Sequence, residues 1–179
     1  AKKDTEAKRG VGTSILWILC ASVVLTALYL CFAEPILTAF GARVNDETFA
    51  LSKEYFFWIS LGIPFYMFGQ GLNPIIRSDG NPRFAMVSLL AGALTNCVLD
   101  PIFIYPLRMG MKGAAIATVI GQIVSAVCTL WYLTRMQTTP LERGAFTFFH
   151  GGIGQIASLG MTSFLSQVSI VLSMAAVLN

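Results

Sequence analysis

Charge is what this chain has least of. Asp, Glu, Lys and Arg together supply 12% of its 179 residues, against 55% hydrophobic residues. Soluble domains carry about 25% charged residues, so a mean hydropathy of +0.70 excludes an ordinary water-soluble globule and marks an integral membrane protein. Histidine is almost absent (His150 alone), and Cys20, Cys31, Cys97 and Cys128 show no CxxC spacing, which removes the usual zinc frameworks. The cysteines all fall inside apolar runs, so they read as helix-packing residues, not disulfide partners. A folded basic face is also missing. The net charge of +3 therefore describes membrane topology, and no nucleic-acid partner is expected. The opening AKKDTEAKRG lacks an apolar core and a cleavage site and is no signal peptide. Without an initiator Met, and stopping at Asn179 directly after an apolar run, the sequence is expected to be a piece of a longer protein.

Long apolar runs are what the chain does have. Five are long enough to cross a hydrocarbon core that takes about 20 helical residues: approximately Ile15 to Phe40, Tyr55 to Ile76, Pro82 to Pro106, Met111 to Arg135, and Gly152 to Leu178. The alternating polarity of barrel strands is absent from stretches such as LWILCASVVLTALYLCF (16–32), so the expected fold is all-α, a polytopic helix bundle. Lys2, Lys3, Lys8, Arg9, Arg77, Arg83, Arg135 and Arg143 fall on one side of these spans, and Arg43, Lys53, Arg108 and Lys112 on the other. The positive-inside rule then puts the Ala1 end in the cytoplasm.

The connections read as structural. GARVNDETFALSKE (41–54) predicts a short surface helix starting near Asn45 or Asp46, both good N-caps. RSDGNPR (77–83) has the composition of a tight helix-to-helix reversal. His150, in the aromatic stretch FTFFHGG, has no ligand-type neighbour in sequence and is given an interfacial role. GIPFYMFGQGLNP (62–74) implies bends or close helix contacts, and Gly113, Ala117 and Gly121, four apart, form a small-residue packing stripe.

The polar residues inside the spans are the candidate functional ones. Asn96 and Asp100, within TNCVLDPIFI, are i and i+4 and so share one helix face. Asp100 lies nine residues before Met109, the centre of the next turn, and Thr118 nine after it. An antiparallel hairpin brings both to a similar depth, on the order of 10–13 Å below the turn. Asn, Asp and Thr are hard oxygen ligands, suited to an alkali cation or a proton relay and ill suited to zinc or copper. An acid at membrane depth costs about 2.5–3.5 kcal/mol on insertion scales and faces a cavity, a partner or an ion. The alternative is an inert helix-end residue beside Pro101.

In this order and spacing RSDGNPRFAM, TNCVLDPIFI and GMKGAAIATVIGQ resemble the multidrug and toxic compound extrusion (MATE) family of transporters. The resemblance implies a twelve-helix transporter of two six-helix lobes working by alternating access, with these spans as the third to seventh helices. Residues 1–136 are then part of the amino-terminal lobe (helices about 15–40, 55–76, 82–106 and 111–135), 137–151 the cytoplasmic inter-lobe linker, and 152–179 the first helix of the second lobe. It implies that Asn96, Asp100 and Thr118 belong to a Na+ or H+ coupling site, completed by an aspartate outside this sequence. Some members carry an acid on the seventh helix; here GMTSFLSQVSIVLSM (160–174) has none, and Gln167 and Ser163 are only weak candidates for the substrate cavity. The implied function is a secondary antiporter of the cell membrane exporting drugs or other cationic amphipathic compounds. No cofactor is needed beyond the coupling ion, membrane lipid surrounds it, and no oligomer is required. The alternatives are a lipid-linked precursor flippase, which calls for a strongly cationic cavity, and an intramembrane enzyme. For the enzyme, Glu34 is the only other acid near a span interior, and it makes no evident catalytic pair.

Overall fold

Apolar runs of this length satisfy their backbone groups inside a membrane only by coiling into helices, and the computed structural model is built of them. It describes residues 2–43, 45–136, 161, 165–170 and 173. Five helices follow in order: α1 (Lys2–Cys31), α2 (Ala33–Ala39), α3 (Asp46–Ser78), α4 (Pro82–Ile104) and α5 (Gly110–Leu133). They belong to one compact unit, Ala1–Phe146; Thr147–Asn179 form a second, in which residues 165–170 are helical.

The expected first span divides in the structure. Helix α1 ends at Cys31 and α2 follows from Ala33, with Pro35 in its first turn, where proline is tolerated because those amides have no intrahelical acceptor. Glu34 is exposed and ion-paired with Lys53 of α3. The surface helix expected near Asn45 is instead the first turn of α3: Asn45 Oδ1 accepts the Thr48 N–H at 2.6 Å, an N-cap that starts a helix running unbroken to Ser78. At the RSDGNPR reversal Gly80 takes φ +88°, Asn81 caps α4 through the Phe84 N–H at 3.1 Å, and Pro82 occupies the first turn, the combination a short reversal requires.

Three described helical segments are long and apolar enough to cross a membrane: Gly10–Cys31, Pro82–Ile104 and Gly110–Leu133. Helix α3 falls short in apolarity, although its 33 residues give ample length. The reason lies in where it packs. Helix α3 lies against α1, α4 and, most extensively, α5, and turns Ser60, Gly62, Gly69 and Asn73 into those contacts. Protein surrounds its small and polar residues, so it needs less lipophilicity than a helix bathed in lipid. Helix α4 shows an apolar outward face: Val87, Leu90, Leu94 and Val98 recur at helical spacing and are exposed. Cys20, Cys31 and Cys97 are exposed too, and Cys128 half-buried. The expectation that all four serve helix packing is therefore corrected for those three, which lie on the outward faces of α1 and α4.

At the end expected to be cytoplasmic, Leu72, Ile76, Ala85, Tyr132, Leu133 and Met136 form the apolar core. Polar ties enclose it. Tyr132 donates to Asp79 Oδ2 at 2.9 Å. Asn73, only 4% exposed, donates to the Ala85 carbonyl at 2.8 Å and accepts from Arg77 Nε at 2.9 Å. Asn73→Ala removes both bonds, while the Ala85 carbonyl keeps the Ser88 hydroxyl at 2.9 Å, so the loss of two hydrogen bonds should cost about 1–3 kcal/mol. Thermal unfolding of the purified full-length protein in detergent checks this; an unchanged Tm would show the bridge to be idle.

Candidate functional site

Helices α4 and α5 form a hairpin whose backbones meet closely at two levels. A Cβ on Gly92 would lie 2.6 Å from the Gly121 carbonyl oxygen, and one on Gly121 would lie 2.6 Å from that of Gly92. Nearer the turn, a Cβ on Gly113 would lie 3.1 Å from the Phe103 carbonyl oxygen. Gly113, Ala117 and Gly121 are all buried, so the small-residue stripe is the seam along which α4 approaches α5. The turn itself holds Arg108 at φ +51° and Gly110 at φ +53°.

Between those two contacts lie Asn96 and Asp100 on α4 and Thr118 on α5. Asn96 Nδ2 donates to Thr118 Oγ1 at 3.3 Å, and the Thr118 hydroxyl donates to the Ala114 carbonyl at 2.9 Å. The amide nitrogen of Asn96 is thus engaged with Thr118, while its Oδ1 keeps acceptor capacity. Asp100 sits one turn along α4 toward the hairpin turn and is half-buried. Its Oδ1 is buried and has no hydrogen-bond partner. Such an atom costs about 1–3 kcal/mol, more when charged, and Asp100 is the unsatisfied member of this polar set. Among the described residues no group of three His, Cys, Asp or Glu is placed to hold a metal ion. Any cation here would rest on amide, hydroxyl and single-carboxylate oxygens.

A cavity of about 350 Å³ opens beside the pair, lined by Asn96 and Thr118 together with Phe65, Tyr66, Gln70, Gln122 and Ser125. Asp100 does not line it. The aromatic residues come from GIPFYMFGQGLNP, where Phe65 and Tyr66 face the cavity and Met67 does not. Gln70, Gln122 and Ser125 had not been singled out from the sequence. The spacing that exposes the last two is there to be read: Thr118, Gln122 and Ser125 follow at i, i+4 and i+7, one face of α5. Gln167 is exposed on the helical stretch 165–170 of the second unit. Ser163 and His150 lie outside the described residues.

The MatE family model matches residues 1–102. The multidrug export protein MepA of Staphylococcus aureus is 29% identical over 135 residues, which is 75% of this chain and 30% of MepA. Two solved structures, described as the inward-facing and the outward-facing conformation of a multidrug resistance MATE family transporter of the MOP superfamily, each match with TM-score 0.80 and 27% identity. They cover 93% and 96% of this chain and 43% of theirs. The chain spans about a third of the length of the export protein it matches.

Proposed function

The chain belongs to the MatE family, and on that premise we propose that it is the amino-terminal-lobe portion of a secondary active antiporter. In this reading the protein exports drugs or other organic, cationic amphipathic compounds in exchange for Na+ or H+. Residues 1–136 supply four spans of that lobe (α1 with α2, α3, α4 and α5), 137–151 the inter-lobe linker and 152–179 the first helix of the second lobe. The observation that carries the reading is the α4–α5 site: a carboxylate at membrane depth with one buried, unpartnered oxygen, one turn from the Asn96–Thr118 pair. An ion bound there satisfies Asp100 and is held by hard oxygens. Coupling then requires only that ion and substrate differ in affinity between the two access states. The equal match to inward- and outward-facing relatives supports alternating access in which these helices travel with little internal change. The cavity beside the site is lined by neutral polar and aromatic side chains, with no Lys or Arg. Phe65 and Tyr66, on its α3 side, suit an organic cation better than an anionic lipid-linked precursor.

The test is the full-length protein in proteoliposomes loaded with a fluorescent organic cation. Imposing an inward Na+ gradient at constant pH, or a proton gradient without Na+, is expected to accelerate efflux with one of the two ions. Indifference to both gradients would sink the antiport reading. Thr118→Val removes a hydroxyl that is at once donor and acceptor. It should raise the ion concentration for half-maximal efflux about tenfold, the loss of one hydrogen bond to a charged group.

A further inference from the structure

Two other polar atoms of α5 are buried without a hydrogen-bond partner: Gln122 Oε1 and Ser125 Oγ. Both side chains line the 350 Å³ cavity that holds the Asn96–Thr118 pair, and Ser125 is only 8% exposed. Glycines of α3 make the room they occupy. A Cβ on Gly62 would meet Gln122 Oε1 at 2.3 Å, and a Cβ on Gly69 would meet Ser125 Oγ at 3.1 Å. Gly62 and Gly69 are seven apart, two turns on one face of α3, so two notches receive two polar side chains. An apolar bundle has no reason to keep such atoms unpaired, since each costs about 1–3 kcal/mol of desolvation. Buried polar groups facing a polar, roomy cavity are satisfied by water or by a ligand.

Position chooses the ligand. Thr118, Gln122 and Ser125 descend one face of α5, and Ser125 lies seven residues beyond Thr118, about 10 Å farther toward the Leu133 end. By the distribution of Lys and Arg that end is cytoplasmic. We propose that Gln122 and Ser125 form an inner way-station for a partly hydrated monovalent cation, the coupling ion on its route between the Asp100 set and the cytoplasm. The station has two neutral oxygens and no carboxylate, so it holds the ion weakly and passes it on, where Asp100 holds it firmly. It rests on the coupling role proposed above for Asp100.

The experiment compares full-length wild type with Gln122→Leu, Ser125→Ala and Gly62→Ala in proteoliposomes, driven by whichever gradient, Na+ or H+, energises the wild type. Ion-driven efflux is expected to slow about tenfold in Gln122→Leu and less in Ser125→Ala. Affinity for the organic cation, measured by equilibrium binding without a gradient, should not change. Gly62→Ala should reproduce the Gln122 defect, because its methyl group displaces the carboxamide and leaves Gln122 present. Wild-type rates in both Gln122→Leu and Ser125→Ala, with Asp100→Asn inactive in the same assay, would overturn the way-station alone. Undiminished efflux by Asp100→Asn would overturn the coupling role and the station with it. A loss of substrate affinity in Gln122→Leu that accounts for its slower efflux would overturn the station by making Gln122 part of the substrate surface.

Discussion

Asp100→Asn is expected to abolish ion-driven efflux while leaving the protein folded in the membrane. The substitution keeps side-chain volume and replaces the one carboxylate of the α4–α5 set with a neutral amide. Asp100 Oδ1 is buried with no protein partner, so no described neighbour loses a hydrogen bond to that atom in the variant. An uncharged residue at this depth also lowers an insertion cost that is about 2.5–3.5 kcal/mol for an Asp, and expression and thermal stability should equal or exceed those of the wild type. Function should move the other way. Losing the charge that pairs with a buried cation costs on the order of 3–5 kcal/mol, roughly a hundredfold or more in ion affinity. Efflux in proteoliposomes should therefore fall to the rate without a gradient and stay there as the ion concentration is raised. The divergence of the two readouts is the informative part. A merely structural Asp100 would lose stability and activity together, and undiminished ion-driven efflux would remove Asp100 from coupling altogether.

Much of this geometry was legible in the sequence, and where it was not the causes are specific. Asn96 and Thr118 could be brought to one depth because helical rise is fixed and the turn near Met109 is short. Contact between them was not deducible, since rotation of each helix about its axis is set by packing. It is the Gly92–Gly121 crossing that sets it. The cysteines were misread for the same reason: an apolar run says that a residue is in the membrane, not whether it faces lipid or protein. Asn45 reads as a cap from sequence, but the length of the helix it starts does not, because the polar residues after it suggest a short surface helix separate from the apolar run at Tyr55, whereas α3 continues through both. Gln122 and Ser125 escaped because single uncharged polar residues are common in membrane helices; their significance comes from the glycines of α3 opposite them, which no local pattern connects to α5.

The crossing of α4 and α5 is where a single methyl group should do the most structural damage. Gly121→Ala puts a Cβ 2.6 Å from the Gly92 carbonyl oxygen and 3.0 Å from Asn96 Cβ. The first obstacle is backbone, which cannot rotate away, so α4 must move off α5. Overpacking of this kind costs about 1–3 kcal/mol, and the displacement stretches the 3.3 Å Asn96–Thr118 bond, so stability and ion-driven efflux should both fall. Gly71→Ala is the matched comparison. Its Cβ would lie 2.8 Å from Ile18 Cδ1, nominally almost as severe, but that atom is the tip of a flexible side chain and can turn aside. Thermal unfolding in detergent should therefore show a clear drop in Tm for Gly121→Ala and little change for Gly71→Ala, with only the former slowing efflux. Equal effects from the two variants would mean that the α4–α5 backbones are not in contact at Gly92, and the register that brings Asn96 to Thr118 would have to be redrawn.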